Sequence, residues 1–240
     1  MRKTPTIIAV DGLSGSGKTS ISKAIAKHYG YEYLDTGSVY RAVTLLALKN
    51  GLNVDSFDES NKDTYAPLLR ELKKANFSFT YNSETDTAIA KINDTDVTKE
   101  LKTPLVSNLV AKVSKIEDVR VWVRGFQYKY AEGKDIVMEG RDITTVVFPN
   151  AKIKLFVTTD IDVRAERRAK DYERLGKFVS IETVKKDIEA RDHLDIFRKH
   201  SPLKITTDAY VLDTSYKTID ETIAEAISHI EEKLQNSKKD

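Results

Sequence analysis

No cysteine occurs among the 240 residues, which removes disulfides, thiolate metal sites and cysteine nucleophiles together and fits a reducing, cytoplasmic setting. Long hydrophobic runs are also missing. The apolar stretches, such as Thr6-Ile7-Ile8-Ala9-Val10 and Lys154-Leu155-Phe156-Val157, are strand-length and far short of the roughly 20 residues that a membrane span needs. The basic start Met1-Arg2-Lys3-Thr4-Pro5 leads into too short an apolar run before Asp11 to form a signal-peptide core, so the chain reads as unprocessed. An excess of charge of one sign is lacking too. With 39 Lys+Arg against 37 Asp+Glu the net charge is +2, whereas a nucleic-acid partner calls for a clearly basic face. Any phosphate chemistry must therefore use locally placed cations. Four histidines, His28, His193, His200 and His229, share no metal-ligand spacing.

What is present is a chain long enough to bury a sizeable core, as one domain or one core with an insertion. Five short apolar or β-branched runs read as buried strands: Thr6 to Val10, Tyr31 to Leu34, Ile136 to Met138, Ile153 to Val157 and Tyr210 to Leu212. Helical segments separate them. Lys18 to Tyr29 closes at Gly30, a C-cap position; Arg41 to Lys49 follows the capping oxygens of Asp35-Thr36 and stops at Asn50-Gly51. Pro104 to Tyr130 reads as one or two helices, with Trp122 a packing residue at helical spacing from Val119 and Phe126. Ile181 to Lys199 reads as another helix, and Ile219, Ile223, Ile227, Ile230 and Leu234 mark an amphipathic closing one. A polar tail from Asn236 to Asp240 is expected to fray. Strands alternating with helices predict a three-layer α/β fold with a five-stranded parallel sheet. One stretch breaks the rhythm. From Phe77 to Lys99, Phe77, Phe79 and Tyr81 and then Ala88, Ala90 and Ile92 alternate with polar residues, predicting a small antiparallel hairpin insertion with a further turn at Asn93-Asp94.

The first strand runs into Gly12-Leu13-Ser14-Gly15-Ser16-Gly17-Lys18-Thr19, and a helix follows at once, which is the context that a phosphate-binding loop requires. Glycines let the backbone turn its N–H groups inward. Lys18 adds a point charge for the outer phosphates, and the Thr19 hydroxyl can ligate Mg²⁺ at the helix N-terminus. The loop predicts nucleoside triphosphate binding and leaves the reaction open. A GTPase would need a base-reading Asn-Lys-x-Asp, and Asn61-Lys62-Asp63-Thr64 fails at its fourth position.

A kinase needs a second anion site, and arginines stand where one would form. Arg41 lies just beyond the second strand, and Gly140-Arg141-Asp142 follows the third, at strand ends where α/β sheets hold ligands. Arg191, Asp195 and Arg198 at i, i+4 and i+7 predict one helix face with two guanidinium groups and a carboxylate between them. Arg164, Arg167 and Arg168 cluster after the fourth strand, and the Arg-rich stretch from Asp160 to Lys177 is the candidate for a closing lid. A phosphate monoester is already largely ionised at neutral pH, its second pKa being about 6, so an arginine-rich site without a catalytic base suits a phosphate acceptor. Glu139, ending the third strand, is read equally as a magnesium-water orienter or a structural carboxylate.

These residues resemble bacterial cytidylate kinases, nucleoside monophosphate kinases of the P-loop class, over essentially the whole chain. The likeness rests on Asp11-Gly12 before the loop, Asp35-Thr36-Gly37-Ser38-Val39-Tyr40-Arg41, Gly140-Arg141-Asp142 with Thr145-Val146-Val147-Phe148-Pro149, Arg191-Asp192 with Asp195 and Arg198, and Val211-Leu212-Asp213. It implies a core at about 1–35, 101–159 and 200–240, a monophosphate-binding region at about 36–100 and a short helical lid at about 160–180. It also implies a monomer using ATP and Mg²⁺ to phosphorylate CMP and dCMP, with neither nucleic acid nor membrane as partner. On this likeness Gly12 to Thr19, with Arg164 and Arg168, serve ATP, and Lys18, Arg141, Arg191 and Arg198 are catalytic. Thr36, Arg41, Arg141, Arg191 and Arg198 serve the acceptor, Asp195 its sugar hydroxyls, and Arg120 and Asp142 the cytosine edge. The chain departs from the family pattern at Ala111, commonly a cytosine-contacting Ser, at Glu117-Asp118, which lacks the usual Pro, at Thr144, typically Gly, and at Leu13, commonly Pro. A kinase for UMP or AMP and a non-catalytic nucleotide-binding factor remain the alternatives.

Overall fold

The computed structural model describes residues 5–174 and 176–236. The expected frayed tail beyond Asn236, the first four residues and position 175 of the expected lid lie outside the described residues.

Along the chain run β1 (Ile7–Gly12), α1 (Lys18–Tyr29), β2 (Glu32–Asp35), α2 (Thr36–Lys49), α3 (Ala66–Lys74), β3 (Phe77–Asn82), β4 (Thr87–Ile92), β5 (Thr95–Asp96), α4 (Pro104–Lys115) and α5 (Glu117–Ala131). There follow β6 (Ile136–Gly140), a π-turn at Ile143–Val147, β7 (Ile153–Thr158), α6 (Ile161–Arg174), α7 (Ile181–Phe197), β8 (Tyr210–Asp213) and α8 (Ile219–Asn236). The sheet predicted from the apolar runs has five strands in the order β2-β6-β1-β7-β8, and the hairpin stretch forms a separate antiparallel sheet, β3-β4-β5. Two compact units result, one of residues 1–31 with 134–240 and one of residues 32–133.

In the first unit β1 is the central strand, parallel to both β6 and β7, with β8 parallel to β7 beyond. Buried on both faces, β1 consists of apolar residues without alternation until it reaches Asp11. The strand must end in glycine. Gly12 has φ +155°, and a Cβ there would stand 2.1 Å from the Val157 carbonyl oxygen of β7. Gly15 and Gly17, at φ +73° and +83°, complete the turn into α1, which closes on left-handed Gly30 as expected. Farther along, Ala165 of α6 packs with Val184 and Ile188 of α7 in a small core of their own.

In the second unit, α2 starts five residues before the expected Arg41. The Asp35 carboxylate accepts from the Gly37 N–H at 2.8 Å and from the Ser38 hydroxyl at 2.7 Å, so Asp35 is the N-cap and Thr36 to Tyr40 are already helical. Arg41 thus projects from the second turn of a helix rather than from a strand end. The insertion is anchored by aromatic rings. Trp122, Phe126 and Tyr130, at i, i+4 and i+8 of α5, form a stacked column that meets Phe77 (5.0 Å to Trp122) and Phe79 (5.6 Å to Phe126) edge-on. The Tyr130 hydroxyl donates to the Phe79 carbonyl at 3.2 Å. The turn at Asn93-Asp94 has both residues at positive φ, 48° and 66°, as short polar side chains permit.

Two of the three P-loop glycines, Gly12 and Gly17, predict different sensitivities. Gly12→Ala drives a methyl into the backbone of β7 and is expected to destabilise the protein by about 3 kcal/mol or more. Gly17→Ala meets nothing within 4 Å and has only its left-handed φ to bear, about 1–2 kcal/mol. Urea unfolding midpoints of the two variants against wild type check the order.

Candidate active site

The loop from Gly12 to Thr19 is held through its carbonyls, by its own side chains and from outside. Leu13 O accepts from the Ser16 hydroxyl and from Lys18 Nζ, both at 3.0 Å, and Ser16 O from the hydroxyls of Thr159 (3.3 Å) and Thr214 (3.4 Å). Ser14 O accepts from Arg164 at 3.0 Å. These bonds fix the shape of the turn, and the Lys18 ammonium is buried against it. Thr19 is exposed in the first turn of α1.

Arg164, expected on ATP, is buried on α6 with its guanidinium on protein acceptors: the Thr159 carbonyl at 3.0 Å, Ser14 O, and the carboxylate of Asp192. Asp192 in turn accepts from the Ser14 N–H at 3.0 Å, so α6, α7 and the phosphate loop are joined by one ion pair. Removing either partner would strand a buried charge, typically at a cost of about 3–5 kcal/mol. Arg168 is exposed on α6, over the Tyr172 ring at 5.0 Å, while Arg167 donates to Thr214.

The predicted pair of guanidinium groups about a carboxylate exists, with a different membership. Asp195 accepts from Arg141 Nε at 2.9 Å and from Arg198 at 3.4 Å. Arg191 is exposed on α7. Arg198 is not on the helix face at all: α7 ends at Phe197, and Arg198 caps it in extended conformation, donating to the Ser201 carbonyl at 2.7 Å. Spacing along a helix could not show that Arg141, 54 residues away, would supply the second guanidinium. Asp142 is buried, as is Glu139 within β6.

In the second unit, Thr36 is buried in the first turn of α2, and Arg41 donates to the Ser107 hydroxyl at 2.7 Å and the Leu101 carbonyl at 3.2 Å. Arg120, buried on α5, donates to the Ser114 carbonyl at 2.8 Å and lies 5.4 Å over the Tyr40 ring. Ser107 and Ser114 flank Ala111 in sequence, and the Ser114 hydroxyl donates to the Ala111 carbonyl at 3.2 Å.

Two carboxylates were missed as partners. Asp192 had a readable signal: with Val184 and Ile188 it forms the i, i+4, i+8 stripe that α7 buries, and an acid in an apolar stripe needs a buried cation. Asp11 is the other, fully buried within β1.

A triphosphate-type loop, a second cluster of guanidinium groups and a buried acid beside one of them are the parts of a kinase that phosphorylates an anion. Comparison with known proteins agrees. The family model described as cytidylate kinase matches residues 8–232. The chain belongs to the cytidylate kinase family. The cytidylate kinase of Flavobacterium johnsoniae is 40% identical over 218 residues, 90% of this chain and 92% of its own. That of Streptococcus pneumoniae is 40% identical over 227 residues, 95% of this chain and 98% of its own. A solved structure of an uncharacterized protein from Eubacterium ventriosum shares the fold alone, with a TM-score of 0.50 at 15% identity over 94% of this chain and 98% of that one. As a member of the cytidylate kinase family the protein is a nucleoside monophosphate kinase, a phosphotransferase.

In this kinase Asp11 is pushed up to about 6, chiefly by burial and secondarily by the nearby Asp142, against the hydrogen bonds from Thr144 and Ile143 that favour its ionised form. A folded-state value above the unfolded 3.8 means that ionised Asp11 costs stability above about pH 6, and the cost is relieved as the pH falls toward 4. Between pH 7.5 and pH 5, wild type is therefore expected to gain on the order of 1 kcal/mol relative to Asp11→Asn. Denaturant unfolding of both proteins at the two pH values checks it, parallel pH profiles being the contrary result.

Proposed function

We propose that the enzyme converts CMP and dCMP to their diphosphates by direct in-line transfer of the γ-phosphoryl group of MgATP. The observation that carries the reading is the Arg141–Asp195–Arg198 cluster: two guanidinium groups share one carboxylate, in the same unit as the phosphate loop. An acceptor phosphate satisfies the guanidinium groups better than half a carboxylate each, and it leaves Asp195 to accept from the acceptor's sugar hydroxyls.

No base is required, because the attacking oxygen belongs to a phosphate already ionised at neutral pH. Catalysis is then a matter of charge and position. Lys18 and the loop amides hold the donor's outer phosphates, and Arg141, Arg191 and Arg198 stabilise charge on the transferring group. Arg41, with Thr36 about one and a half turns earlier on α2, serves the acceptor phosphate. Arg164 acts on ATP by fixing the loop through Ser14, and Arg168 supplies a further cation on the donor side. The Thr19 hydroxyl suits magnesium, which favours phosphate and water oxygens with one protein ligand. Among the described residues no group of three or more His, Cys, Asp or Glu could cage a metal. When bound with ATP, the ion neutralises charge on the outer phosphates.

The base is read by Arg120, whose guanidinium donates to the cytosine O2 and N3, and by Asp142, whose carboxylate accepts from the 4-amino group that uracil lacks. Family membership disfavours a UMP or AMP kinase and a non-catalytic factor. The same proposal includes a cytoplasmic setting and a monomeric enzyme.

Asp142→Ala is expected to reduce the ratio of kcat/KM for CMP over UMP by about tenfold or more, since a buried carboxylate facing uracil's carbonyl is what rejects it. Initial rates with both acceptors check this, and an unchanged ratio would refute the base-reading role.

A further inference from the structure

Asp11 lies at the end of β1, directly before the phosphate loop, yet its carboxylate is given to a different segment. Its oxygens accept from the Ile143 N–H at 3.0 Å, the Thr144 N–H at 2.8 Å and the Thr144 hydroxyl at 2.6 Å. Those donors are the first two residues of the π-turn, immediately after Arg141 and Asp142. β1 and β6 are adjacent strands with Asp11 in register opposite Gly140. The chain therefore leaves the sheet at Gly140, forms Arg141 and Asp142, and is tied back to β1 one residue later. A two-residue loop pinned at both ends has little freedom to move its backbone, which sets where both side chains start and how they are directed.

Two of the three bonds come from backbone N–H groups and would exist with other residues at 144. The third needs a hydroxyl there. Thr144 supplies it, and it is the shortest of the three, as expected for O–H on a carboxylate.

We infer that Asp11 and the Thr144 hydroxyl are a positioning pair that fixes Asp142 and thereby sets the preference for cytosine over uracil. This rests on the reading of Asp142 given above. Neither residue touches substrate; both act through the loop between them. A carboxylate rejects uracil only if it cannot turn away from the carbonyl it meets, so loosening its support lowers the penalty on UMP before it removes the contact with CMP.

Thr144→Val exchanges the hydroxyl for a methyl of the same shape, and Thr144→Gly keeps both backbone bonds if the valine variant folds poorly. Each is expected to lower the CMP-over-UMP ratio of kcat/KM by about tenfold, mainly through KM, with KM for MgATP unchanged. Thr144→Ser is expected to restore the ratio. A purely structural role would lower stability and the rates with both acceptors together and leave the ratio alone. A ratio within twofold of wild type in the valine and glycine variants, or failure of serine to restore it, overturns the inference. Asp142→Ala measured alongside separates the two failures: if its ratio is also unchanged, the base-reading assignment has fallen and the positioning role falls with it.

Discussion

An enzyme that brings two phosphate-bearing molecules together must concentrate cations, and those cations repel one another whenever neither substrate is present. Most of the arginines proposed for the site are accordingly engaged by an oxygen of the protein itself. Arg141 and Arg198 share Asp195, Arg164 is paired with Asp192, Arg41 is held by Ser107 and the Leu101 carbonyl, and Arg120 by the Ser114 carbonyl. These contacts keep guanidinium groups aimed and partly desolvated without substrate, which is the preorganisation that electrostatic catalysis depends on. In the proposed site the carboxylates matter as much as the arginines. Asp195 can hand its partners to a phosphate, whereas Asp192, buried with Arg164 against the loop, has a structural task.

The sheet and the phosphate loop were legible because their causes are local. β1 is apolar on both faces, Gly12 is required by the approach of Val157, and Gly15, Gly17 and Gly30 sit where the backbone turns left-handed. The antiparallel insertion was equally legible, since alternation of Phe77, Phe79 and Tyr81 with polar residues is a period of two, and it holds to the residue in the register with β4. Even Trp122 was readable as packing from its helical spacing.

What sequence could not supply were partners set by tertiary folding. The start of α2 was hidden because Gly37, Ser38 and Val39 are poor helix formers, and the Asp35 cap overrides them. The end of α7 fell one residue before Arg198, which moved that guanidinium off the expected face without separating it from Asp195. Arg141, rather than Arg191, proved to be the other partner, an association across 54 residues that no periodicity encodes. Asp11 was visible only as part of a motif, while its use, gripping the turn after Asp142 from 132 residues away, emerges from strand order alone. Local chemistry thus announced the phosphate loop, and the pairing of arginines with distant acids became visible only in the fold.

The most direct test is the initial rate of ADP formation from MgATP with CMP, dCMP, UMP and AMP, beside a control without acceptor. The account predicts that CMP and dCMP dominate, with kcat/KM exceeding that for UMP by about a hundredfold. Equal rates with UMP or AMP, or ADP formation that does not depend on any monophosphate, would contradict it.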